Sequence, residues 1–86
     1  MELITEAAFR ELTKIEQIVM VTRLGKELLT RVNDGFSIHL YFLSNILIEV
    51  WYETKTNNIV ELKTTDKQSV IDEYIDENDI FHYLFK

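Results

Sequence analysis

His39 and Glu49 are of the types that proton-transfer chemistry uses. A carboxylate beside an imidazole fixes its tautomer and favours its protonated form, which is how a general acid/base pair is built. In the strand register argued below the two residues lie opposite each other. A catalyst needs more than that. No serine or threonine stands in a recognisable nucleophile elbow, no glycine-rich loop is present to hold a phosphate, and Gly25 and Gly35 both have structural explanations. The pair is therefore expected to be structural, and the chain is expected not to be an enzyme.

A second cluster, Asp72, Glu73, Asp76, Glu77 and Asp79, has the oxygen ligands that a hard cation takes. Its spacing lacks the alternating Asp-x-Asp-x-Asp-Gly loop, and Asp72 with Asp76, or Glu73 with Glu77, is the i, i+4 pattern of a solvated helix face. No metal and no cofactor are expected. His82, beside Phe81 and Tyr83, reads as a surface or half-buried histidine. The chain has no cysteine, which removes disulfides, thiolate catalysis and sulfur-dependent zinc sites. Nine Lys and Arg against fifteen Asp and Glu give a net charge of -6, the wrong sign for neutralising phosphates, so nucleic-acid binding is not expected. Residues 66–86 hold six of the acids and two lysines, making this the acidic end.

These residues must be positioned by a small fold. Eighty-six residues suit a single domain, and with 47% hydrophobic residues, 2 glycines and no proline the chain should fold. The N-terminus lacks a basic region followed by an apolar run, and the nearly uncharged stretch from Phe36 to Ile48 is shorter than the roughly 18–20 residues of a spanning helix. A cytoplasmic protein without a membrane span is the expectation.

From Thr5 to about Thr22, Ala8, Leu12, Ile15, Ile18, Val19 and Val21 recur at helical spacing, which predicts one amphipathic helix capped by Thr5 and stopping between residues 21 and 25. Lys26 to Val32, the turn Asn33-Asp34-Gly35 and Phe36 to Phe42 predict a β-hairpin. A two-residue Asp-Gly loop would set Arg31 beside Ile38. A three-residue loop with Gly35 left-handed would pair Val32 with Phe36, Thr30 with Ile38 and Leu28 with Leu40, and it is preferred because it makes one coherent apolar face. Ser44-Asn45 breaks the pattern, Ile46 to Glu53 forms a third strand, and Ile59 to Thr64 a fourth. Thr65 with Gln68 resembles a capping box, followed by the stripe Val70, Ile71, Tyr74 and Ile75 of a short helix ending near Asp76. Ile80, Phe81, Leu84 and Phe85 suggest a last helical turn.

The predicted fold is α+β, a four-stranded antiparallel meander with an N-terminal helix and a C-terminal helical segment packed on one face, in the order α-β-β-β-β-α-α. The face packed against the helices comprises Leu28, Val32, Phe36, Ile38, Leu40, Phe42, Ile46, Ile48, Val50, Tyr52, Val60 and Leu62. The opposite face gathers Leu29, Arg31, His39, Tyr41, Leu47, Glu49, Trp51, Glu53, Ile59, Glu61 and Lys63, with Glu49 opposite Lys63 and Trp51 opposite Glu61. Such a face can be an ordinary solvated surface. Aromatics amid mixed charge also match the composition of interface hot spots.

Around Ile48-Glu49-Val50-Trp51-Tyr52, with the Asn-Asp-Gly hairpin and the Ile38-His39-Leu40-Tyr41 strand before it, the chain resembles short bacterial α+β proteins that carry a Glu-Val-Trp-Tyr strand. That resemblance covers residues 25–65 and implies a bacterial, cytoplasmic setting. It implies no activity and assigns no functional residue. The functional expectation is a non-enzymatic protein-interaction module, with a protein partner or a second copy bound through Leu29, His39, Tyr41, Leu47, Glu49 and Trp51 or through an exposed strand edge. The alternative is a small acidic inhibitor, immunity or antitoxin-like protein that neutralises a basic partner through Asp72, Glu73, Asp76 and Glu77.

Overall fold

The computed structural model describes residues 3–75. Along the chain they form α1 (Glu6–Glu11), α2 (Lys14–Leu24), β1 (Lys26–Asn33), β2 (Phe36–Leu43), β3 (Ile46–Glu53), β4 (Ile59–Thr65) and α3 (Lys67–Tyr74). The strands make one antiparallel sheet in the order β1-β2-β3-β4. This is the α+β meander expected, with helix before and after it. The turn anticipated at Ile80 to Phe85 lies outside the described residues, as does Asp76.

Thr5 caps α1, its Oγ1 accepting the Ala8 N–H at 3.2 Å. The single N-terminal helix expected from the apolar spacing is two helices. Leu12 turns extended at ψ 152°, and Thr13 starts α2 with a full capping box: Glu16 N–H donates to Thr13 Oγ1, and Thr13 N–H to Glu16 Oε1. Gln17 Nε2 reaches back to the Phe9 carbonyl at 2.9 Å, adding a second donor to the Leu12 N–H that this oxygen already accepts at the end of α1. The helix stops at Gly25, whose N–H donates to the Val21 carbonyl. A Cβ there would lie 2.6 Å from that same oxygen, so the close approach requires glycine.

The first hairpin corrects the preferred register. Asn33 pairs with Phe36 and Arg31 with Ile38, across a two-residue loop in which Asp34 (φ 45°) and Gly35 (φ 84°) both lie in the left-handed region. The same geometry closes the second hairpin, where Ser44 (φ 49°) and Asn45 (φ 66°) set Leu43 opposite Ile46. Each hairpin thus differs by one residue from the expected pairing, and the two shifts together turn β2 over. The other pairings stand: Glu49 faces Lys63, Val50 faces Leu62 and Trp51 faces Glu61.

Sequence reasoning sought one apolar face, but the sheet is covered on both. On one face Phe9 of α1 and Val21 of α2 close a core with Leu43, Ile46, Ile48 and Val50. On the other, Ile38 and Leu40 are fully buried, and α3 lies over Leu29, Leu40, Phe42 and Leu47. The C-terminal helix therefore packs opposite to the N-terminal ones instead of beside them. β2 turns Phe36, Ile38, Leu40 and Phe42 to the α3 face and Ser37, His39, Tyr41 and Leu43 to the α1–α2 face. Asp66, one residue beyond the expected Thr65, caps α3 by accepting the Ser69 N–H at 2.8 Å.

Candidate functional site

Turning β2 over divides the six residues expected to share a surface. Leu29, Leu47, Glu49 and Trp51 lie on the α3 face together with Ile38 and Leu40. His39 and Tyr41 lie on the α1–α2 face, His39 beside Thr30 and Val50, Tyr41 beside Glu27 and Ile48. His39 does not meet Glu49, and Tyr41 and Trp51 do not form one patch.

The centre of the α3 face is Glu49, a carboxylate only 4% exposed. Tyr74 Oη donates to its Oε2 at 2.7 Å, Arg31 Nη2 contacts the same oxygen at 3.3 Å, and Trp51 Nε1 donates to Oε1 at 3.3 Å. Arg31 Nη2 also pairs with Glu73 Oε2 at 2.8 Å, so one guanidinium joins β1, β3 and α3. Its Cζ stands 5.1 Å from the centroid of the Tyr74 ring and 5.5 Å from that of Trp51, and Lys63 Nζ lies 4.4 Å from the Trp51 centroid. Burial works against the charge of Arg31, and contacts with Tyr74, Glu49 and Glu73 outweigh it, holding the pKa above its usual value. The Tyr74 hydroxyl is likewise held well above the ordinary phenol value, by burial first and then by the Glu49 carboxylate.

Beside this cluster lies an open cleft of about 530 Å³, reached by Asn33, Lys63, Thr65 and Ser69. Its charges are already paired internally, and the cluster acts as a polar staple that fastens α3 to the sheet. Of the expected acidic face, Glu73 is drawn into it by Arg31, while Asp72 stays on the exposed side of α3 and accepts from Gln68 Nε2 at 3.0 Å. Asp76 and Glu77 lie outside the described residues.

On the opposite face His39 has a different carboxylate. Its Nδ1 bonds Glu27 on β1, its Nε2 lies in hydrogen-bond contact with Ser37 Oγ at 3.1 Å, and its ring meets Tyr52 edge-on at 4.8 Å. Serine, imidazole and carboxylate stand in the order of a nucleophile relay. Ser37 sits on a central strand whose own backbone N–H groups belong to the ladder and are not free to face an oxyanion. The trio fastens β1 to β2. Tyr41, packed nearby, has its hydroxyl pushed up to about 12 by burial, with Tyr52 and Glu27 adding to it.

Among the described residues no group of three or more His, Cys, Asp or Glu could hold a metal ion, and no helix is long and apolar enough to cross a membrane. Comparison with protein families, curated proteins and solved structures gave no match. The class of the molecule is thus given by its fold: a four-stranded meander between an N-terminal pair of helices and a stapled C-terminal helix.

Sequence reasoning missed Tyr74 as a polar partner and Glu27 as the partner of His39. One signal was present: Glu49 is the only charge between Ile46 and Tyr52, and a lone carboxylate in so apolar a strand calls for buried donors.

Proposed function

We propose that the protein is a non-enzymatic interaction module whose working surface is the open edge of the sheet at β1. The supporting observation is the difference between its two edge strands. At β4, Lys14 Nζ donates to the Val60 carbonyl at 3.1 Å and Arg10 Nη2 to Thr64 Oγ1 at 2.9 Å, so both N-terminal helices reach that edge. Along β1 every residue except Arg31 is exposed, and among the described residues no helix or loop hydrogen-bonds to its backbone.

The two-residue loop makes Asn33 and Phe36 the closing hydrogen-bonded pair of the hairpin. Antiparallel alternation then turns the N–H and C=O groups of Thr30 and Val32 outward. Val32 is 76% exposed and belongs to the β-branched type that strand pairing favours. An edge of this kind is a template for an added strand, and the bulge between Glu27 and Leu29 limits its length. A neutraliser of basic partners has less support, because both described carboxylates of its acidic face are engaged within the chain.

Selection of random peptides displayed on phage against the immobilised chain tests this reading. The expected result is extended peptides alternating β-branched and polar residues, with binding lost on Thr30→Pro, which removes an outward N–H. Peptides held equally well by the variant, or none selected at all, would overturn it.

A further inference from the structure

Resting on that reading of the β1 edge, we infer that the strand it takes up is β1 of a second copy, giving a closed two-fold dimer whose sheet runs through eight strands, four from each copy. An antiparallel edge complements itself. A two-fold axis normal to the sheet at Thr30 sets the outward N–H and C=O of one copy against those of the other.

The side chains fit the same axis. Exposed Lys26 opens the strand and Asp34 stands just beyond its end, and neither has an ion pair among the described residues. Antiparallel pairing carries Lys26 of each copy to the Asn33–Asp34 corner of the other, so one opposite-charge contact forms at either end. Between them, Leu28 and Leu29 are 44% and 40% exposed and line an apolar groove of about 460 Å³ with Phe42 and Ile71. The axis keeps both α3 faces on the same side of the sheet and brings the two grooves toward one another, which covers apolar surface that a small domain otherwise leaves in water.

The far edges favour a closed assembly. With the Val60 carbonyl of β4 taken by Lys14 and Arg10 held at the Thr64 side chain, β1 is the less guarded edge, and two-fold pairing through it uses that edge of both copies at once.

Sedimentation velocity on the full chain from micromolar to millimolar concentration tests the inference, with circular dichroism to confirm that each variant folds. The wild type is expected to approach twice the chain mass. Thr30→Pro should raise the dissociation constant about tenfold or more, through lost ladder bonds. Lys26→Glu, exposed and remote from the core, should raise it about fivefold at low salt and less at 1 M salt, because both rim contacts become repulsive. A monomer throughout, or a dimer indifferent to both substitutions, would overturn self-pairing. A monomer that still binds phage-selected peptides through β1 leaves the edge reading standing, whereas one that binds none removes both.

Discussion

The two faces of the sheet are closed by different means. The α1–α2 face is sealed by apolar packing, with Phe9 and Val21 set into Leu43, Ile46, Ile48 and Val50. The α3 face has Ile38 and Leu40 buried beneath it, yet α3 itself contributes no buried side chain and is fastened by Glu49, Arg31 and Tyr74. Apolar packing spreads its stabilisation over many weak atomic contacts, which a cavity forfeits together. A buried carboxylate concentrates it in a few bonds, and removing one partner strands the others in a medium that solvates them poorly. The first face should therefore set the stability of the whole, and the second should decide whether α3 is docked.

Breaking the apolar face gives the largest effect. Phe9→Ala is expected to cost about 3–5 kcal/mol in urea unfolding, and a cost below 1 kcal/mol would mean that α1 does not close the core. Glu49→Ala should cost about 3 kcal/mol, with amide exchange in α3 rising before that in β2 and β3. Uniform exchange across the sheet would show that the staple does not act on α3 in particular. Tyr74→Phe removes one charge-assisted bond and should cost about 1.5 kcal/mol, again read in α3.

Acid sharpens the contrast further. Glu16 and Asp66, each accepting helix N-terminal N–H groups, are held below their ordinary values of 4.5 and 3.8. Their contributions are complete above those values and disappear as pH falls through the lower folded ones. Helical signal from α3, which has less packing to hold it, should fall before that from α2, as residue-resolved carbon shifts would report. The smallest effect is spectroscopic: in an alkaline titration followed by tyrosine absorbance, Tyr41 should ionise near 12, well after an exposed phenol.

Element types were legible because hydrophobic period and turn residues are local signals. The Thr5 cap, the stop at Gly25 and all four strands lie where the residues put them. The Thr13-x-x-Glu16 box was visible as well, but an apolar pattern running through Leu12 concealed it. The flip of β2 was not decidable from one strand, since its apolar set Phe36, Ile38, Leu40 and Phe42 can face either side of a sheet and each loop length sends it to a different one. What settles it is the left-handed backbone at Asp34-Gly35 and Ser44-Asn45 together with coverage of both faces, and coverage is a tertiary property. The site followed the same logic: Leu29, Glu49 and Trp51 were placed together correctly, and His39 and Tyr41 left them because their strand turned over.

The strand order has a kinetic meaning as well. Because every neighbour in the sheet is also the next strand in the chain, and two of the three connections are two-residue turns, most ladder contacts close short loops. The β1–β2–β3 hairpins can zip in sequence without waiting for a distant segment, while α3 must return across the finished sheet to meet Arg31 and Glu49. The meander should thus reach its barrier early and quickly, with docking of the last helix accelerating little of it; substitutions in the staple would then change the unfolding rate far more than the folding rate.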